Sequence, residues 1–226
     1  MDTQKRMIVW LSAALVVGIA AIGAYQVATN GPTELPRKDG TMNLPLDETD
    51  QTKGSKTPKV TFVEYSDFQC PACGAYHPLL EAVFAEYKDK ISFTYRHFPL
   101  PQHQNALAAA YAAEAAGNQG KFWEMADMLF KNQSEWSEVS KPETFFEGYA
   151  TKLGLDISKY KVDVMSDATK ARVERSKKSG ELSAIDHTPT FFINGKMAEN
   201  PRSKEELTAL IEYAIAQGTK ESEQVK

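Results

Sequence analysis

The chain of 226 residues is 42% hydrophobic and 25% charged, with a formal net charge of −4. These proportions belong to a globular protein, and the slight acidity argues against a nucleic-acid binder, which needs a basic stripe to meet phosphates. Only Cys70 and Cys73 are present, which excludes a disulfide-stapled scaffold.

Residues 1–6 are a short polar lead that ends in Lys5 and Arg6. Met7 to Ala28 then runs 22 residues without a charge. As a helix it would be about 33 Å long, enough for a bilayer core of about 30 Å. It reads as a single N-terminal transmembrane helix, with residues 1–6 in the cytoplasm and the rest on the extracytoplasmic face. The alternative is a cleaved signal peptide with Ala21-Ile22-Gly23 as its site, but such a peptide has a shorter apolar region, of about 7–15 residues. Residues 29–57 are polar, with three prolines and three glycines, and read as a flexible linker spanning roughly 30 Å. The folded domain is expected over residues 58–217, followed by a charged, frayed tail over residues 218–226.

Within the domain, Val60 to Tyr65 reads as a strand and Pro71 to Lys88 as a helix, opened by a proline where a missing N–H costs nothing. Ile91 to Phe98 alternates and reads as a second strand, so the three form a parallel βαβ unit. A helical insertion is expected over residues 102–184. It holds an alanine-rich helix from Gln102 to Ala116, a second from Gly120 to Lys131, and a third opened by a capping box of Ser140 and Glu143. Asp156 to Ser183 supplies one or two more helices, broken near Met165. Thr190 to Ile193 returns to strand, Asn194-Gly195 marks a hairpin, and Ser203 to Ala216 closes the domain as an amphipathic helix.

The chemistry lies in Cys70-Pro71-Ala72-Cys73. A cysteine at a helix start meets unpaired backbone N–H groups and the positive end of the dipole, which lower its pKa and make it a nucleophile. Cys73, one turn inward, can attack a mixed disulfide formed at Cys70. Pro71 fixes the turn. Ala72 offers no charge, so the helix terminus is expected to do most of the stabilising. The competing readings are half a zinc site, for which His77, His97, His103 and His187 give no second ligand pair, and an inert disulfide, whose short loop would stabilise little. His77 reads as an exposed helix histidine, and His97 and His103 as structural. Glu64 shares a strand face with apolar Val60 and Phe62. It is either a buried acid able to exchange protons with a thiol or an edge glutamate held by a lysine. Thr188-Pro189 precedes a strand, with the proline cis beside the cysteines or in an ordinary trans turn. His187 either approaches Cys70 as a charge or sits exposed on its loop.

The run Glu64-Tyr-Ser-Asp-Phe-Gln-Cys70-Pro-Ala-Cys73, together with Pro78 and Thr188-Pro189-Thr190-Phe-Phe-Ile-Asn-Gly195, resembles the DsbA-like thiol–disulfide oxidoreductases. The resemblance covers residues 58–217. It implies an α/β thioredoxin fold interrupted by a helical domain, with Cys70 attacking, Cys73 resolving, Pro189 cis, Glu64 the buried acid and Thr188 the residue before that proline. No cofactor or metal is implied beyond the Cys70–Cys73 disulfide. Ala72 departs from the His of the strongest oxidants, and His187 from the usual Gly.

Three functions fit these residues. The first is a dithiol oxidase in the bacterial cell membrane that hands its disulfide to exported proteins. It would be reoxidised by a DsbB-like or vitamin K epoxide reductase-like membrane partner. The second is a reductase or isomerase fed by a membrane electron donor. The third is a peptide-binding or chaperone module whose disulfide is incidental.

Overall fold

The computed structural model describes residues 40–224. Met7–Ala28, read above as a membrane helix, lies outside the described residues, as does the linker up to residue 39. Among the described residues no helix is long and apolar enough to cross a membrane.

A five-stranded sheet has the order β1-β3-β2-β4-β5. Its strands are β1 (Gln51–Gly54), β2 (Val60–Ser66), β3 (Ile91–His97), β4 (Thr190–Ile193) and β5 (Lys196–Ala198). The β2–β3 pair is parallel, in register from Val60 opposite Ile91 to Ser66 opposite His97. Helix α1 (Pro71–Tyr87) makes the crossover, with Pro71 in its first turn and Pro78 inside it. The remaining pairs are antiparallel. Asn194 and Gly195 both have positive φ, 50° and 75°, as the tight β4–β5 turn requires.

Six helices fill the insertion: α2 (Ala106–Gly117), α3 (Phe122–Lys131), α4 (Gln133–Trp136), α5 (Glu143–Lys152), α6 (Ile157–Met165) and α7 (Asp167–Leu182). All but one of the alanines of α2 are buried, Ala108 being partly so, and their small size lets α3, α5, α6 and α7 pack closely around it. The core of the insertion runs without a break into the end of the sheet that carries the cysteines. Met125, Leu129, Phe130 and Trp136 belong to one cluster with Phe68, Cys73 and Tyr95. A second cluster joins Phe62, Phe93 and Phe191 to Leu80 and Val83 of α1 and to Leu207 and Ile211 of α8 (Lys204–Gln224). A third, on the opposite face, joins Val63, Tyr65 and Phe192 to Phe98 and Ile185.

Several sequence expectations are corrected here. The second half of the supposed linker is part of the fold. Residues 51–54 form edge strand β1, Thr41 bridges to Lys196, and Asp50 is buried against Arg96. An edge strand draws its stability from backbone pairing and needs no apolar face, so a polar stretch gives no signal. The expected capping box is absent: Pro142 occupies the N-cap of α5, leaving Ser140 two residues upstream. The side-chain caps lie instead at Asp156, accepting from Lys159 N at 3.0 Å, and Ser166, accepting from Thr169 N at 3.2 Å. Helix α8 continues through the expected tail to Gln224, because Lys, Glu and Gln are good helix formers. Helix α2 starts at Ala106 rather than Gln102, since residues 102–105 form the turn that approaches the active-site loop.

Candidate active site

Cys70 is the N-cap of α1, with extended backbone angles of −67° and 121°. The loop before it is held from several directions. Asp67 is buried, and its carboxylate accepts from Gln69 N at 2.7 Å, Leu100 N at 2.9 Å and His103 Nδ1 at 2.7 Å. Gln69 donates to Ser137 O and accepts from Asn105 N, tying the loop to the start of the helical insertion and to the turn after α4. Gln133 of α4 donates through Nε2 to Phe68 O at 2.7 Å and Cys70 O at 3.0 Å. Fixing the carbonyls in this way fixes the direction in which Cys70 presents its sulfur.

Thr188–Pro189 is a cis peptide, and Thr188 O lies 3.5 Å from Cys70 Sγ. Asn200 Nδ2 donates to Pro189 O at 2.8 Å and Thr190 Oγ1 to His187 O at 2.8 Å, so the loop is anchored on both sides of the proline. His187 itself lies on the surface, its Nδ1 2.7 Å from Asp186 Oδ1 and its side chain 62% exposed. It borders a groove of about 920 Å³ together with Thr190, Met197, Asn200, Arg202 and Leu210.

Both cysteines are free thiols, Cys70 6% exposed and Cys73 fully buried. A hydrogen bond from the Cys73 thiol holds Cys70 well below its ordinary value of 9.0, at about 5. Burial opposes this, while Thr188 and the backbone N–H groups of Cys73 and Ala72 add to it. The helix terminus therefore helps, but the partner thiol contributes most, contrary to the expectation from sequence. Burial pushes Cys73 in the other direction, far above a normal thiol, and its bond to Cys70 and the charge of Glu64 push it further. One sulfur is thus a stable thiolate and the other a protected thiol.

Glu64 is buried at 3% exposure, with Oε1 lacking a hydrogen-bond partner among the described residues. Burial raises its pKa from 4.5 to about 7, against the pull of Ser66 and the Lys53 ammonium. Of the two sequence readings, burial is the one the structure has, and Lys53, the lysine that acts on Glu64, comes from unforeseen β1. His77 is not the exposed residue expected: its ring stacks on Phe130 at 4.8 Å, and Nε2 lies 3.0 Å from Asp127 Oδ1. His97 and His103 are structural, paired with Glu114 and Asp67. Asp67, Gln133, Ser66 and Tyr95 were not singled out from sequence. Asp67 offered a faint signal, a carboxylate three residues before a helix cap; the others offered none.

A family model described as Thioredoxin matches residues 46–213. Among solved structures, the chain is similar to BdbD from Bacillus subtilis in its oxidised form, with a TM-score of 0.67 and 21% identity over 79% of this chain and 99% of that one. It is also similar to alpha-DsbA1 from Wolbachia pipientis, with a TM-score of 0.71 and 18% identity over 81% of this chain and 98% of that one. At these identities the likeness concerns the fold, a thioredoxin-type sheet with inserted helices. Among curated proteins, it is 36% identical over 175 residues to a Na(+)/H(+) antiporter NhaA 1 of Salinispora arenicola, covering 76% of this chain and 26% of that protein. The chain thus spans about a quarter of the length of such relatives, and their name describes proteins far longer than the shared stretch.

Proposed function

The chain belongs to the thioredoxin family, and we propose that it is a membrane-anchored thiol–disulfide oxidoreductase acting as a dithiol oxidase on exported proteins. A substrate thiolate attacks Cys70 of the Cys70–Cys73 disulfide, and Cys73 departs and takes up a proton. A second substrate thiolate then attacks the mixed disulfide, Cys70 leaves as a thiolate, and the new disulfide stays on the substrate. Two electrons now reside on Cys70 and Cys73, and a membrane redox partner of the DsbB-like or vitamin K epoxide reductase-like kind removes them. The chain supplies the redox group itself and calls on no cofactor. Met7–Ala28, preceded by Lys5 and Arg6, anchors the domain on the extracytoplasmic face.

The observation that carries the oxidase direction is the low pKa of Cys70. A stabilised thiolate stabilises the reduced form and makes the disulfide a stronger oxidant. With Ala72 in the dipeptide, the reduction potential is expected between about −120 and −230 mV. Equilibration with glutathione buffers measures it. A value near −270 mV, on the order of a thioredoxin reductant, would turn the direction of flow to the reductase reading. In the reduced protein, iodoacetamide at pH 6 should label Cys70 and spare Cys73; equal labelling would remove the assignment of roles. Cys70→Ser separates exchange from binding, because a chaperone module keeps its activity in that variant and an oxidase loses it.

A further inference from the structure

The floor beneath Cys73 contains more polar chemistry than a single acid. Glu64 and Ser66 are two apart on β2 and so project to the same face. Tyr95 is the register partner of Glu64 on β3. It packs in the same cluster as Cys73, stacked on Phe68 with ring centroids 4.8 Å apart. Glu64 Oε1, Ser66 Oγ and Tyr95 OH are all buried, and none has a hydrogen-bond partner among the described residues. Leaving one such group unpaired in a protein interior costs about 1–3 kcal/mol, and native structures keep such groups for a reason. Ser66 is also the one hydroxyl close enough to act on Glu64, Cys73 and Tyr95 alike.

We propose that the Ser66 hydroxyl relays the proton between Cys73 and Glu64, with the Tyr95 hydroxyl orienting it. The inference rests on the thiol–disulfide exchange proposed above. A serine hydroxyl donates and accepts at once, so it can pass a proton without gaining or losing one. When Cys73 resolves a mixed disulfide at Cys70, its S–H proton moves to Ser66 Oγ as the hydroxyl proton of Ser66 moves to the Glu64 carboxylate. The Cys73 thiolate then bonds to Cys70 Sγ, and the S–S bond to the substrate breaks with its electron pair leaving on the substrate sulfur. In the oxidising direction the same steps run backward, and the departing Cys73 collects its proton from Glu64. Burial holds Tyr95 well above the usual phenol range, so it remains a neutral donor throughout. The charged and titratable groups bearing on Glu64 are Lys53 from β1, Cys70, Cys73 and Glu81 from the active-site cap and α1, and Tyr95 from β3. Ser66 adds a rotatable hydroxyl that acts on both acid and thiol.

The test is single-turnover resolution of a mixed disulfide preformed on Cys70, followed from pH 5 to pH 9. Ser66→Ala is expected to slow resolution about a hundredfold, the low end of what a positioned proton-transfer group supplies, and Tyr95→Phe to slow it less. Iodoacetamide labelling of Cys70 should be unchanged in both, and Ser66→Thr should recover most of the rate. On a Glu64→Gln background, Ser66→Ala should add no further loss, since a relay without its terminus carries nothing. Additive losses, or rates and pH profiles equal to the starting protein, would overturn the relay. Should Ser66→Ala not fold, Tyr95→Phe and Ser66→Thr decide by the same pH profile. Failure of the unsubstituted protein to resolve at all would instead overturn the exchange reading, and the relay with it.

Discussion

Tyr95 and Arg96 are neighbours on β3 and face opposite sides of the sheet, and the two sides treat buried polar groups in opposite ways. On the Arg96 side the guanidinium and the groups around it, Asp50, Tyr65 and Ser179, are satisfied. The guanidinium makes a bidentate pair with Asp50, through Nε and a terminal nitrogen, each at 2.8 Å. Its remaining donors reach Leu44 O, Pro45 O, Tyr65 OH and Ser179 Oγ at 2.8–2.9 Å. Gly180 lets α7 lie this close, because a Cβ there would come within 2.5 Å of Phe98. On the Tyr95 side, Glu64, Ser66 and Tyr95 keep open hydrogen-bonding capacity under Cys73. A satisfied network holds one arrangement and stays put. An unsatisfied one retains groups that can accept a proton and give it back, at some cost in stability.

The largest test of this contrast is Asp50→Ala. It strands a fully buried guanidinium without its counter-charge and should cost about 3–5 kcal/mol in urea unfolding. A loss below about 1 kcal/mol would show that residues 40–50 rest on the domain without holding it together.

The opposite face should respond with the other sign. Glu64 binds its proton more tightly folded, at about 7, than at its ordinary 4.5. Stability is therefore full below pH 4.5, falls as pH rises through that window, and stays low above 7. In the oxidised protein, where neither cysteine titrates, the difference between the unsubstituted protein and Glu64→Gln should change by on the order of 3 kcal/mol from pH 4 to pH 8. Gln grows relatively more stable as pH rises. A constant difference would mean that the carboxyl is solvated and not part of a dry floor.

The finest comparison removes one phenol hydroxyl from each face. Tyr65 OH is bonded to Arg96 at 2.9 Å and Ser179 at 2.6 Å, so Tyr65→Phe should lose about 1–2 kcal/mol. Tyr95 OH has no partner, so Tyr95→Phe should be neutral within about 0.5 kcal/mol, or stabilising. Equal losses in thermal unfolding would erase the distinction between the faces.

Local patterns carried much of the molecule into view from sequence. Strand β2, helix α1 and strand β3 each have their own periodicity, and the β4–β5 turn has its Asn-Gly pair. The two cysteines announce themselves by spacing, while strand alternation left Glu64 between a buried acid and an edge glutamate. Strand β1 did not appear, because four polar residues on an edge carry no periodic signal. His77 was misread because its partner Asp127 is 50 residues away. Helix α8 outran its expected end because an apolar stripe stops before the backbone does.

What the sequence determined by itself is therefore the cysteine pair at a helix start and the strands and helix around it, since each element depends on residues close to one another in the chain. The helix start already pointed to Cys70 as the thiolate; tertiary structure alone decided which contacts stabilise it most and that the Glu64 carboxyl is pushed up to about 7. The Cys70 thiolate depends on the placement of Cys73 and Thr188, the latter 118 residues on in the chain. The raised Glu64 and its open neighbours exist only where β2, β3 and α1 close over one another. Burial and long-range pairing set these energies, and neither is a property of any stretch of chain read alone.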